Sequence, residues 1–118
     1  MYAGNEGQVE KFYENSGFLV DELSKEFKAL IVFPEHWYFG KSWPFRDKEK
    51  SFAKDKVKFL TIEQVMEDYN LLAKLLYEKY KKQVILFGGS YGGMLAAWLW
   101  MKFPTTFKGA VSSSAPIL

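Results

Sequence analysis

Short apolar runs alternate along this chain with longer amphipathic stretches, the order in which a parallel α/β sheet is written. Residues 1–3 read as the end of a strand entering the loop Gly4-Asn5-Glu6-Gly7. A helical stretch is expected from about Gln8, broken near Gly17, with Leu19, Leu23 and Phe27 at i, i+4 spacing on one face. Residues 29–34 form a compact run expected to be a buried strand. An aromatic loop over 35–45 and a charged, weakly patterned surface stretch over 46–58 follow it. The clearest helix comes next. Thr61 and Gln64 have capping-box spacing, and Leu60 and Val65 have the spacing of a hydrophobic staple. Ile62, Val65, Met66, Tyr69, Leu72, Ala73, Leu76 and Tyr80 then mark one face, and lysines at 79, 81 and 82 oppose the negative end of the helix dipole. Residues 83–87 read as a strand. Residues 94–103 read as a helix so apolar all round that it is expected to be covered on most sides, with Ala96 and Ala97 letting it approach the sheet. Pro104 stops that helix, and 107–112 form a further strand.

The junction between 83–87 and 94–103 carries the chemistry. Its sequence is Phe87-Gly88-Gly89-Ser90-Tyr91-Gly92-Gly93, the G-x-S-x-G pattern of a nucleophile elbow set between strand and helix. In such an elbow the serine takes a strained conformation, and glycines two before and two after it remove side chains that would clash. The hydroxyl stands clear of the sheet, and the amide of the next residue points at the same place from the helix N-terminus. A plain helix cap would explain one glycine beside Ser90 but not four.

Composition narrows the remainder. The 118 residues suffice for one small domain, and 48% hydrophobic with 19% aromatic residues is ample for a core. A net charge of +2 from 16 basic and 14 acidic residues makes no electrostatic case for nucleic acid or an anionic membrane surface. Without cysteine there is neither a disulfide framework nor a thiolate metal site, and the single histidine rules out a multi-histidine centre, so no metal is expected; no cofactor is expected because an elbow serine acts through side chains and backbone amides alone. The longest apolar run, 94–101, is too short to span a bilayer. No basic stretch followed by an apolar core marks a secretory signal in these residues.

Five ordered motifs carry a resemblance: Gly4-Asn5-Glu6-Gly7; Glu35-His36-x-Tyr38-Phe39-Gly40-x-Ser42-x-Pro44-Phe45; Phe59-Leu60-Thr61-x-Glu63-Gln64; Gly88-Gly89-Ser90-Tyr91-Gly92-Gly93-Met94-Leu95-Ala96-Ala97-Trp98; and Ser114-Ala115-Pro116-Ile117. Together they resemble the serine peptidases that comprise lysosomal Pro-Xaa carboxypeptidase and dipeptidyl peptidase II. The resemblance implies a partial α/β-hydrolase fold, a parallel sheet with flanking helices covering about the third to sixth strands, with residues 1–118 as one domain incomplete at both ends. It implies Ser90 as the catalytic nucleophile, and Tyr91, Asn5 and Gly4 as the oxyanion hole through backbone amides. Glu6, Glu35 and His36 are expected to line or support the pocket, a structural role being an equal alternative for Glu35 and His36. The substrates implied are peptides with proline near a terminus, and the location lysosomal or secreted. Relatives usually carry arginine at the position of Trp37, and the cysteine and glycosylation site often seen near the first helix have no counterpart at Tyr13 and Asn15.

An acyl-transfer serine needs a base and an acid that orients it, and in α/β-hydrolases these follow the serine as Asp and then His. No such pair follows Ser90 here, and His36 precedes it. The expectation is therefore a fragment of a longer serine exopeptidase, inactive alone. The alternatives are an esterase or lipase-type hydrolase sharing the elbow, and a non-catalytic remnant or binding module. Whether the parent is a carboxypeptidase or a dipeptidyl peptidase stays open.

Overall fold

The computed structural model describes residues 1–57 and 60–117; Lys58, which closes the predicted surface stretch, Phe59 of the third motif and Leu118 lie outside the described residues. Its centre is a parallel pair, β1 (Val84–Gly89) and β2 (Phe107–Ser113), joined through α5 (Tyr91–Lys102). The register runs from Ile85 opposite Gly109 to Gly89 opposite Ser113, with one irregularity between Val84 and Ile85. Residues 1–3 lie along the other side of β1. The Met1 amino group donates to the Ile85 carbonyl at 2.8 Å, the Phe87 amide to Met1 at 2.9 Å and the Ala3 amide to Phe87 at 2.7 Å.

The expected strand at 29–34 does not form a ladder. It is extended, and Tyr2 donates to the Val32 carbonyl at 2.8 Å, but Leu30 is 60% exposed. Among the described residues this run has one backbone bond to residues 1–3, from the Tyr2 amide to Val32, which is too few to make a ladder. The spatial order is nevertheless legible as 29–34, then 1–3, then β1, then β2.

The helical region from Gln8 divides, as expected, near Gly17 into α1 (Val9–Glu14) and a π-helical segment Phe18–Leu23 continuing into α2 (Ser24–Glu26). The wider π winding rotates successive side chains away from i, i+4 register. Of the predicted stripe only Leu19 is buried, and Phe27 is 70% exposed. Within the charged stretch a short α3 (Lys48–Ser51) is capped by Asp47, whose carboxylate accepts from the Lys50 amide at 2.8 Å.

Helix α4 (Ile62–Tyr80) begins where the capping spacing placed it, with the Thr61 hydroxyl accepting from the Gln64 amide at 3.2 Å. The reciprocal half of the box is absent, because the Gln64 side chain donates instead to Asp68. Val65, Met66, Tyr69 and Ala73 are buried, whereas Ile62 and Tyr80 at the two ends are exposed. Helix α5 starts earlier than its apolar run. It buries Gly92, Gly93, Leu95, Ala96 and Leu99 but leaves Trp100 and Met101 in solvent, so the expected cover on most sides is wrong: the sheet covers one face only. Leu86, Leu95, Ala96, Leu99 and Phe107 are fully buried between α5, the sheet and α4, with Met1 and Ala3 completing the cluster. The architecture is a two-stranded parallel α/β unit with flanking helices. No described helix is long and apolar enough to cross a membrane.

Candidate active site

The strand-to-helix turn is as tight as its glycines demand. Ser90 sits between β1 and α5 at φ 53°, ψ −124°, a left-handed conformation that an L-residue holds only when its surroundings impose it. What imposes it is close packing. A Cβ on Gly88 would overlap the Gly92 carbonyl, and one on Gly92 would overlap the Ala3 carbonyl. From the far side, the Ser113 carbonyl at the end of β2 accepts the Ser90 amide at 3.0 Å, and the Ser112 hydroxyl donates to Gly93 at 2.8 Å. The Ser90 side chain is exposed and makes no capping bond to its own helix. Tyr91 is the first helical residue, so its N–H has no intrahelical acceptor and faces the region of the serine.

The Gly4–Gly7 loop docks on this turn. The Asn5 side-chain oxygen accepts from the Gly92 amide, tying the loop to the first turn of α5. Gly4 behaves differently from the expectation. Its amide donates at 2.8 Å to the buried Tyr69 hydroxyl, which itself donates to Pro34 at 3.3 Å, so the Gly4 N–H is engaged and its part is to fix the loop. Burial raises the Tyr69 hydroxyl far above its ordinary pKa, which keeps it a neutral bridge.

Glu35 is built into the backbone rather than turned to a ligand. One oxygen accepts from the Val9 amide at 3.4 Å, the other from the Lys41 amide at 2.9 Å and the Ser42 hydroxyl at 2.7 Å. It therefore clasps the aromatic loop to α1, which favours the structural alternative. His36 is buried. Its Nδ1 lies 2.7 Å from the Trp37 carbonyl, an acceptor only, so Nδ1 carries the hydrogen. Its Nε2 is 3.3 Å from the Tyr91 hydroxyl, which donates to it when the ring is neutral. Burial pushes the imidazole below its ordinary pKa, opposed by the Trp37 carbonyl and the charge of Glu6. Burial, reinforced by the same Glu6 charge, raises the Tyr91 phenol. Glu6 itself is exposed.

Serine, first amide, docked loop and a histidine bonded to the Tyr91 phenol thus meet at the carboxyl end of a parallel strand, where open α/β sheets place their sites. The profile of the family described as "Serine carboxypeptidase S28" matches residues 1–118. The chain belongs to the S28 family. It is 46% identical over 122 residues to human "Lysosomal Pro-X carboxypeptidase", 41% identical over 122 residues to Caenorhabditis elegans "Prolyl carboxy peptidase like protein 5", and 40% identical over 127 residues to the same organism's "Putative serine protease pcp-1". These alignments cover 99%, 99% and 100% of this chain but only 24%, 24% and 22% of those relatives. The chain spans about a quarter of the length of the curated relatives it matches.

Within this S28 chain the structure brings Ser90, Tyr91, Asn5, Gly4 and His36 into one region, and gives Glu35 a place in the loop scaffold. Two contributors escaped the sequence reading: the Tyr69 hydroxyl and the Asn5 side chain. Tyr69 had a signal, since a tyrosine inside an aliphatic stripe must find a partner for its hydroxyl. The Asn5 contact spans 87 positions and had none. Among the described residues no three acidic or imidazole groups gather as a metal site.

Proposed function

We propose that these residues are the nucleophile-bearing part of an α/β-hydrolase domain, about its third to sixth strands, in a longer serine exopeptidase that cleaves next to proline. The observation that carries this reading is Ser90 at φ 53°, exposed at the junction of β1 and α5 beside the first amide of the helix. In the reaction, Ser90 Oγ gives its proton to a histidine base supplied outside these residues and attacks the scissile carbonyl carbon. The developing oxyanion takes hydrogen bonds from the Tyr91 N–H and the Asn5 backbone N–H. Collapse breaks the peptide bond, the base hands its proton to the leaving amine, and water later hydrolyses the acyl-serine. His36 is not that base, because its Nε2 is directed to Tyr91 and its Nδ1 to Trp37. It shapes the wall behind the oxyanion donor, with Glu6 at the rim.

The relatives named as Pro-X carboxypeptidases support a carboxypeptidase acting on a peptide with proline before its last residue, in the lysosome or after secretion. The chemistry needs side chains and amides alone, so no cofactor enters. The test expresses the longer polypeptide containing residues 1–118 and presents peptides with proline at the penultimate position of either end. Release of the residue after proline at the carboxyl end, abolished by Ser90→Ala, is expected. Release of an amino-terminal dipeptide instead would move the proposal to the dipeptidyl branch, and ester hydrolysis without peptide hydrolysis would overturn it.

A further inference from the structure

Helix α5 has an unusual difficulty at its start. The first amides of any helix lack intrahelical acceptors, and the side chain of the N-cap residue ordinarily takes one of them. Here the N-cap is Ser90, whose hydroxyl makes no such bond. If Ser90 is the nucleophile, as proposed above, its hydroxyl cannot be committed to capping without being lost to the reaction. The Gly92 amide, which an N-cap side chain would normally take, is taken by the Asn5 side-chain oxygen from a loop 87 positions away.

We infer that Asn5 is a positioning residue: its side chain caps the nucleophile helix in place of Ser90, and by the same bond sets the distance between the two oxyanion donors, the Asn5 and Tyr91 backbone amides. Sequence neighbours carry the donors and the clamp, since Asn5 contributes both its own amide and the acceptor, while Gly92 follows Tyr91 directly. The loop cannot rotate about that bond. Ala3 donates to Phe87 at 2.7 Å and Gly4 donates to Tyr69 at 2.8 Å, fixing it on the β1 side and on the α4 side. Gly92 completes the fit, because a side chain there would strike both the Ala3 carbonyl and the Asn5 oxygen. The free Ser90 hydroxyl, the missing self-cap and the absence of a Cβ at 92 are thus three aspects of one arrangement.

The inference rests on the Ser90 reading, and the experiment separates the two. Asn5→Ala and Asn5→Asp are placed in the longer polypeptide, and kcat, KM and the rate of Ser90 acylation by a fluorophosphonate are measured beside amide hydrogen exchange at Gly92. Asn5→Ala removes the acceptor: Gly92 exchange should rise at least tenfold and kcat fall by about a hundredfold, as for a displaced oxyanion donor, with KM within about threefold. Asn5→Asp keeps the acceptor and places negative charge at a helix N-terminus, so Gly92 protection should hold while kcat still falls, because that charge repels the oxyanion. A purely structural role would move stability and kcat together in both variants. Unchanged Gly92 exchange in Asn5→Ala, or kcat within threefold of wild type in both variants, overturns the inference while Ser90 labelling stands. Absence of labelling in the wild-type protein overturns the Ser90 reading and the inference with it.

Discussion

His36 and Tyr91, 55 positions apart, meet at 3.3 Å between the imidazole Nε2 and the phenol oxygen. With Nδ1–H committed to the Trp37 carbonyl at 2.7 Å, the ring is held as one neutral tautomer, and the side chain of the residue after Ser90 is anchored by it. His36 is the only histidine among these 118 residues, so in the longer polypeptide its signal is the one lost in His36→Gln. Imidazole ¹⁵N spectra should show the Nδ1–H tautomer and a midpoint below 6.5, since burial disfavours the charged ring. Tyr91→Phe removes the donor to Nε2 and should cost about 1 kcal/mol by urea unfolding. A midpoint at or above 6.5 in the folded chain would show that the ring is not held in this way.

His36 predicts a pH dependence with a definite sign. It is a base whose pKa burial lowers, so just below 6.5 the unfolded chain binds more protons than the folded one, and stability rises with pH there. Urea midpoints from pH 5 to 8 should show this rise, and His36→Gln should lose its share of it.

The elbow glycines should separate by position. Gly88→Ala drives a methyl group into the Gly92 carbonyl and should cost about 3 kcal/mol or more. Gly89→Ala meets nothing nearer than the Tyr2 hydroxyl at 3.5 Å and should change stability by less than about 1 kcal/mol. Equal losses at the two positions, compared by urea midpoint, would refute the packing argument.

Tyr69→Phe leaves the Gly4 amide and the Pro34 carbonyl without their buried partner, at about 1–3 kcal/mol. In the longer polypeptide proposed above it should also lower kcat more than it raises KM, because the Gly4–Gly7 loop loses its tie to α4. Thermal unfolding and steady-state kinetics on the same preparation check both halves.

Much of this was legible in the sequence, for identifiable reasons. α4, β1, α5 and β2 announced themselves because each is held by its local pattern: Thr61 caps, Tyr69 and Ala73 lie on one stripe, and Gly88 and Gly92 admit a turn that few other sequences allow. The failures came where tertiary partners decide. Leu30 looks like a core position, but burial of an apolar run is decided by what packs on it, and among the described residues Leu30 stays exposed. Phe27 looked equivalent to Leu19 until the π-helical segment rotated it into solvent. Trp100 and Met101 are apolar without being covered, a distinction that hydrophobicity alone does not make. At the site, Ser90 and the Tyr91 amide followed from a local motif. The capture of the Gly4 amide by Tyr69 and of Gly92 by Asn5 depends on contacts 65 and 87 positions long, which no spacing rule contains.

The most direct test of the account is the site of covalent labelling. The longer polypeptide is treated with a fluorophosphonate, with and without a prolyl peptide substrate, digested, and the modified residue located by mass spectrometry. A single adduct on Ser90, slowed by the substrate and absent from Ser90→Ala together with peptidase activity, is the predicted result. Peptide hydrolysis persisting in Ser90→Ala, or an adduct carried by another residue in an active enzyme, would contradict it.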